Sequence, residues 1–124
     1  MSFEEYDPPS TLVVPENLVT RAKFPFVDIH NHQFDMPIRD LSDLTAEMDS
    51  LNMAFMVNLS GFRGMYLAKC LKNVKENAPN RFGLFVNLDW EKIDEANFAA
   101  NNLEILRQAK RDGAIGLKVY KGLG

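Results

Sequence analysis

Both histidines of this chain close the run Pro25-Phe26-Val27-Asp28-Ile29-His30-Asn31-His32. In a β-strand, residues two apart project from one face, so His30 and His32 can reach a single metal ion while Val27 and Ile29 point the other way into an apolar layer. Imidazoles are common ligands of zinc and other transition ions, so the chemistry this spacing suggests is metal binding. A second candidate is Lys118 in Gly113-Ala114-Ile115-Gly116-Leu117-Lys118-Val119-Tyr120. By parity it points to the same side as Tyr120, where an ammonium loses solvation and is pushed toward its neutral, nucleophilic form. Lys121 has the opposite parity and is the weaker candidate.

Strands begin near Phe26, Ala54, Phe82 and Ala114, roughly thirty residues apart, and each interval holds one helical segment. The first carries the stripe Leu41, Leu44, Met48 and Leu51, with Asp40 or Ser42 as N-cap and Asn52 as a left-handed stop. The second carries Leu67, Cys70, Leu71 and Val74 and ends before Pro79. The third carries Ala99, Leu103 and Leu106 and closes at Asp112-Gly113. Strand and helix in alternation at this period predict βαβ crossovers and a parallel sheet over residues 25–124. Residues 1–24, with Pro8, Pro9 and Pro15, read as an extended arm laid over the domain.

One parity of the strands is apolar throughout: Val27 and Ile29; Phe55, Val57 and Leu59; Leu84, Val86 and Leu88; Ile115, Leu117 and Val119. It is expected under the helices. The other parity brings Asp28, His30 and His32, then Asn58 and Ser60, then Asn87 and Asp89, then Lys118 and Tyr120 to the strands' C-terminal ends. Ligands bind at that end in both open α/β sheets and (β/α)8 barrels. A second face this polar does not suit a second layer of helices. The expected fold class is therefore α/β of the (β/α)8 TIM-barrel type, with the first four βα units forming a half barrel.

The remaining balance is ordinary. A net charge of −3 and 46% apolar residues in 124 residues call for neither nucleic acid nor an anionic membrane surface. The acidic N-terminus is not a secretory signal, and no apolar run approaches the ~20 residues of a membrane span. Cys70 is the sole cysteine and forms no internal disulfide, so a cytoplasmic setting is expected.

The first-strand and fourth-strand motifs quoted above resemble the amidohydrolase-related superfamily, metal-dependent hydrolases and lyases on a (β/α)8 barrel. The chain is most similar, from about Arg21 to Gly124, to the branch that includes aminocarboxymuconate-semialdehyde decarboxylase. The resemblance implies that His30 and His32 are ligands of a divalent metal, zinc being the expected ion. It places Lys118 where hydantoinases and phosphotriesterases carry a carboxylated lysine between two metals, a feature that decarboxylase-like members lack. The family draws its other ligands and its general base from later strands. The expectation is therefore that the base lies beyond Gly124, that the chain is the N-terminal half of a longer protein, and that it is inactive alone.

Three functions stay open on this reading. They are metal-assisted hydrolysis of a C–N, C–O or ester bond in a small-molecule substrate, decarboxylation or hydration at the same metal, and a non-catalytic half barrel that self-associates through its open edges. Asp28 is expected to hold backbone or a histidine rather than metal. Arg63, Asn87, Asp89 and Tyr120 are the substrate-binding candidates, with Trp90 a further clamp. Lys118 bridges metals as a carbamate, pairs with Asp89, or anchors a substrate anion. Cys70 reads as a packed thiol.

Overall fold

The computed structural model describes residues 2 and 4–120. Strand β1 (Phe26–Asn31) leads to helix α1 (Leu41–Leu51), β2 (Met53–Asn58), α2 (Gly64–Asn77), β3 (Phe82–Val86), a 3₁₀ turn at Trp90–Lys92, α3 (Phe98–Asp112) and β4 (Gly116–Leu117). All neighbouring strands pair in parallel, in the order β1-β2-β3-β4, and the sheet curls as half of a barrel wall does. The chain is thus an α/β structure whose strands follow one another in space as they do in sequence. Residues 4–24 form no regular element; the arm is tied down where Asn52 Nδ2 donates to the Ala22 carbonyl at 3.0 Å and Ala22 N–H donates to Leu51 O at 3.1 Å.

Local signals set the element ends. Asp40 caps α1 by accepting the Ser42 N–H at 2.9 Å, and Asn52 ends the helix in the left-handed region at φ 66°. Gly113, at φ 109°, does the same for α3, a conformation that favours glycine. Leu41, Leu44 and Met48 from α1, Leu67, Cys70 and Val74 from α2, and Ala109 from α3 form one core with Met36, Met56, Phe82, Leu84 and Val86. In α3 the buried residues are Asn102 and Ala109, with Ile105 and Leu106 half-buried, while Leu103 is exposed. The inward stripe therefore differs from the expected Ala99, Leu103 and Leu106. The reason is Asn102, whose buried side chain accepts the Asp89 N–H at 2.9 Å, so a polar residue occupies the inward face.

The expected strand parity holds in β3, where Leu84 and Val86 face the helices, and fails in β1, in β2 and at Ile115 before β4. Asp28 pairs with Met56 and Asn31 with Asn58, so three steps of β1 run against two of β2. This bulge changes the phase of the strand midway. Below it Val27 pairs with Phe55, and the Phe55 and Ile115 side chains crowd the space above Gly83 on the face away from the helices. Met56, not Phe55, enters the core. The open face is therefore apolar over its lower half and polar only at the strands' C-terminal ends, with Val27 51% and Ile29 72% exposed.

An uncovered apolar sheet face between two open strand edges predicts self-association. Sedimentation velocity of the 124-residue chain should show dimers or larger species that Ile29→Lys shifts toward monomer; a compact wild-type monomer at high concentration would contradict this. Burial also pushes the Cys70 thiol from its ordinary 9.0 up to about 12. A group raised in the folded state stabilises fully below its unfolded pKa. Stability should therefore fall as pH climbs from 9.0 toward about 12, and the native thiol should resist a disulfide reagent that labels the urea-unfolded chain at once. Rapid native labelling at pH ~8 would refute the packed-thiol assignment.

Candidate functional site

The polar end of the sheet is organised by two buried asparagines. Asn58, at the end of β2, is fully buried. Its Oδ1 accepts the backbone N–H groups of Gln33 at 3.1 Å and Ser60 at 2.9 Å, and its Nδ2 donates to Gln33 O at 3.0 Å. Asn87, after β3, repeats the device. Its Oδ1 accepts Phe62 N–H at 2.8 Å, its own N–H donates to Phe62 O at 2.7 Å, and its Nδ2 donates to Leu59 O at 3.2 Å and Lys118 O at 3.3 Å. Each amide stitches the loop after the preceding strand to its own strand end. Asn87, a candidate either for substrate contact or for filling the strand ends with hydrogen bonds, does the latter here.

His30 and His32 come together, with ring centroids 5.3 Å apart, and both are exposed. Asp28 steadies the backbone between them: its carboxylate accepts His30 N–H at 2.9 Å and Asn31 Nδ2–H at 2.8 Å. It holds the turn of the bulge rather than either ring. His32 Nδ1 lies 2.7 Å from Ser60 Oγ, Ser60 Oγ lies 3.0 Å from Tyr120 Oη, and Tyr120 Oη lies 3.3 Å from Leu59 O. Two proton arrangements satisfy this chain. With Tyr120 donating to Leu59 O and Ser60 to Tyr120, Nδ1 of His32 carries the proton; with Tyr120 donating to Ser60, Ser60 donates to Nδ1. The first leaves Nε2 of the neutral ring as the bare nitrogen a metal ligand needs. Ser60 itself has no exposed surface, so it positions the imidazole and does not reach a substrate.

The other candidates divide. Arg63 pairs with Asp89 at 2.7 Å and also donates to Leu88 O at 3.4 Å, and Lys92 lies 4.0 Å from the same Asp89 carboxylate. Asp89 is thereby engaged by Arg63, and the Lys118–Asp89 pair, one of the three alternatives for Lys118, does not form. Lys118 is held by backbone, its N–H donating to Val86 O at 2.9 Å; its half-buried ammonium has no ion-pair partner among the described residues. Trp90 packs on Phe98 at 5.6 Å with its indole Nε1 buried and without a partner. Tyr120 serves the His32 chain. Lys121 lies outside the described residues.

Sequence reasoning missed the part of Ser60 that matters, since its partner His32 is 28 residues away and only the paired strand ends bring them together. It also missed an aromatic row. Phe34 stacks on His32 at 5.8 Å and 12°, Phe62 tilts against Phe34 at 6.2 Å, and Tyr66 meets Phe62 edge-on at 4.8 Å. Tyr66 Oη–H donates to Phe34 O, and burial, with nearby Cys70 and Asp35 adding to it, raises the phenol above its ordinary value.

As a metal site the donor set is partial. Two imidazoles converge, one with its second nitrogen held as a ligating histidine requires. Among the described residues, however, no group of three or more His, Cys, Asp and Glu side chains is placed to hold an ion. The pair thus fits as two positions of a shell that needs at least one more ligand. No helix among the described residues is long and apolar enough to cross a membrane. Fold and site together define a four-stranded parallel α/β sheet with a paired-histidine site at its C-terminal edge. No family model matches the chain, nor does any curated protein or solved structure.

Two variants test this geometry. Ser60→Ala frees His32 Nδ1 and should weaken zinc binding about tenfold or more while leaving the fold intact. An isotherm equal to wild type would show the hydroxyl to be idle. Asn58→Leu leaves the Gln33 and Ser60 backbone groups unpaired and should destabilise the chain by about 3 kcal/mol in urea unfolding. A loss under ~1 kcal/mol would mean that the loops hold themselves.

Proposed function

We propose that this chain is the first half of a (β/α)8 metal-dependent hydrolase of the amidohydrolase-related kind. One observation carries the reading: His30 and His32 come together at the C-terminal end of the first of four sequential parallel strands, and buried Ser60 Oγ lies 2.7 Å from Nδ1 of His32. Barrel enzymes place their chemistry at that end of the strands. His30 and His32 would hold a divalent ion, zinc by preference of imidazole donors, together with a ligand from outside the described residues or from Lys118 after carboxylation. Such an ion supplies Lewis acidity and an activated water.

The chain's own residues do the positioning. Ser60 fixes the ring plane of His32 through Nδ1. Asp28 fixes the backbone that carries His30. Lys118, on β4, remains an amine in a mononuclear site and presents a positive charge to an anionic part of the substrate. Hydrolysis and decarboxylation share these ligands, and carbon dioxide release from the complete enzyme separates them.

Calorimetric titration of the chain with zinc tests the ligand assignment. Weak one-to-one binding is expected, with His30→Ala and His32→Ala each lowering the affinity about tenfold or more. An unchanged isotherm in the double-alanine variant would end the proposal. Two ions per chain with a bicarbonate requirement would instead assign Lys118 as a carbamate bridge.

A further inference from the structure

Beside His32 a cavity of about 330 Å³ opens between the β1–α1 loop and the start of α2. Phe34, Pro37, Ile38, Met65, Tyr66 and Lys69 line it. Three of these apolar side chains are held in water around it: Phe34 is 61% exposed, Ile38 88% and Met65 74%. Large apolar side chains gathered on one concavity mark a binding site more often than a random surface does.

The walls are fixed. Tyr66 Oη–H donates to Phe34 O, tying α2 to the first loop. Phe62, whose ring supports both Phe34 and Tyr66, sits at φ 52°. That left-handed conformation is strained for a bulky residue, and both of its backbone hydrogen bonds to Asn87 hold it there. Gly61, just before it, has no room for a Cβ, which would strike the Phe85 carbonyl oxygen. The molecule thus uses a buried amide, a glycine and a strained residue to keep this aromatic row in place next to His32.

Charge sorts the rim. Asp35 lines the cavity but lies 3.7 Å from Arg39, which offsets it. Lys69 has no carboxylate within ion-pair distance among the described residues, so the rim is left with one uncompensated cation. A flat ring can pack on the Phe34 and Tyr66 rings, and an anionic substituent matches Lys69. The volume, about 330 Å³, is enough for one small ring compound. We propose that this cavity binds an aryl group bearing an anionic side chain, the ring lying against Phe34 and Tyr66 and the anion at Lys69.

The test is a fluorine NMR titration of the metal-free 124-residue chain with 4-fluorophenylacetate, and with 4-fluorobenzyl alcohol as the neutral counterpart. Millimolar binding of the acid is expected, about fivefold tighter than the alcohol. Met65→Glu and Ile38→Glu, both at exposed positions that leave the fold alone, should weaken the acid about fivefold or more, and Lys69→Glu should abolish the preference for it. Ile29→Glu, on the bare sheet face, should change nothing. Absence of binding, equal affinity for acid and alcohol, or weakening by Ile29→Glu but not by Met65→Glu would each overturn the proposal. His30→Ala should lower zinc affinity about tenfold or more and leave acid binding unchanged. Failure of the metal assignment thus shows in the zinc isotherm, and failure of the cavity in the fluorine titration.

Discussion

The site rests on the side-chain amide of Asn58. Buried at the end of β2, it hydrogen-bonds both backbone groups of Gln33 and the N–H of Ser60. Gln33 follows His32 directly, and Ser60 carries the hydroxyl that meets its ring, so one amide sets both members of the His32–Ser60 contact. A buried amide satisfied on each side has one orientation, because any rotation leaves a donor facing a donor. The same device at Asn87 sets Phe62 and, through it, the aromatic row. Two asparagines tie the ends of the four strands into one rim.

Below that rim the energetics are those of half a barrel wall. Helices cover one face, and the core of Leu, Met and Val side chains lies between them and the strands. The opposite face carries Val27, Ile29, Phe55 and Ile115 with nothing above them among the described residues. Polar groups gather only at the C-terminal ends, because the β1 bulge and the turn after β2 change phase there. A strand that is apolar on both faces and polar at one tip suits a sheet whose second face meets more protein. That agreement between the open face and the location of the histidines is what joins the fold to the proposed chemistry.

Much of this was legible before any coordinates. The strand–helix period, the Asp40 cap and the Asn52 stop each have a local physical signal, and the elements fall within a few residues of where those signals put them. The convergence of His30 and His32 also followed from strand geometry alone. The face assignment did not survive in β1 and β2, because a bulge inserts one residue into a two-residue period and no local composition announces it. The α3 stripe was displaced by Asn102, a polar residue whose burial depends on a partner loop. Arg63 and Asp89, and likewise His32 and Ser60, are neighbours only through strand pairing, so their partnerships are invisible to spacing along the chain.

The central claim is that His32 ligates through Nε2, which requires Ser60 to accept the Nδ1 proton and leave the Nε2 lone pair free. Nitrogen-15 NMR of the metal-free protein, correlated to the imidazole ring protons above the titration range of histidine, reads the tautomer of each ring directly. The account predicts a protonated Nδ1 and a bare Nε2 for His32, reverting to a mixture in Ser60→Ala. A wild-type His32 protonated at Nε2 would contradict it.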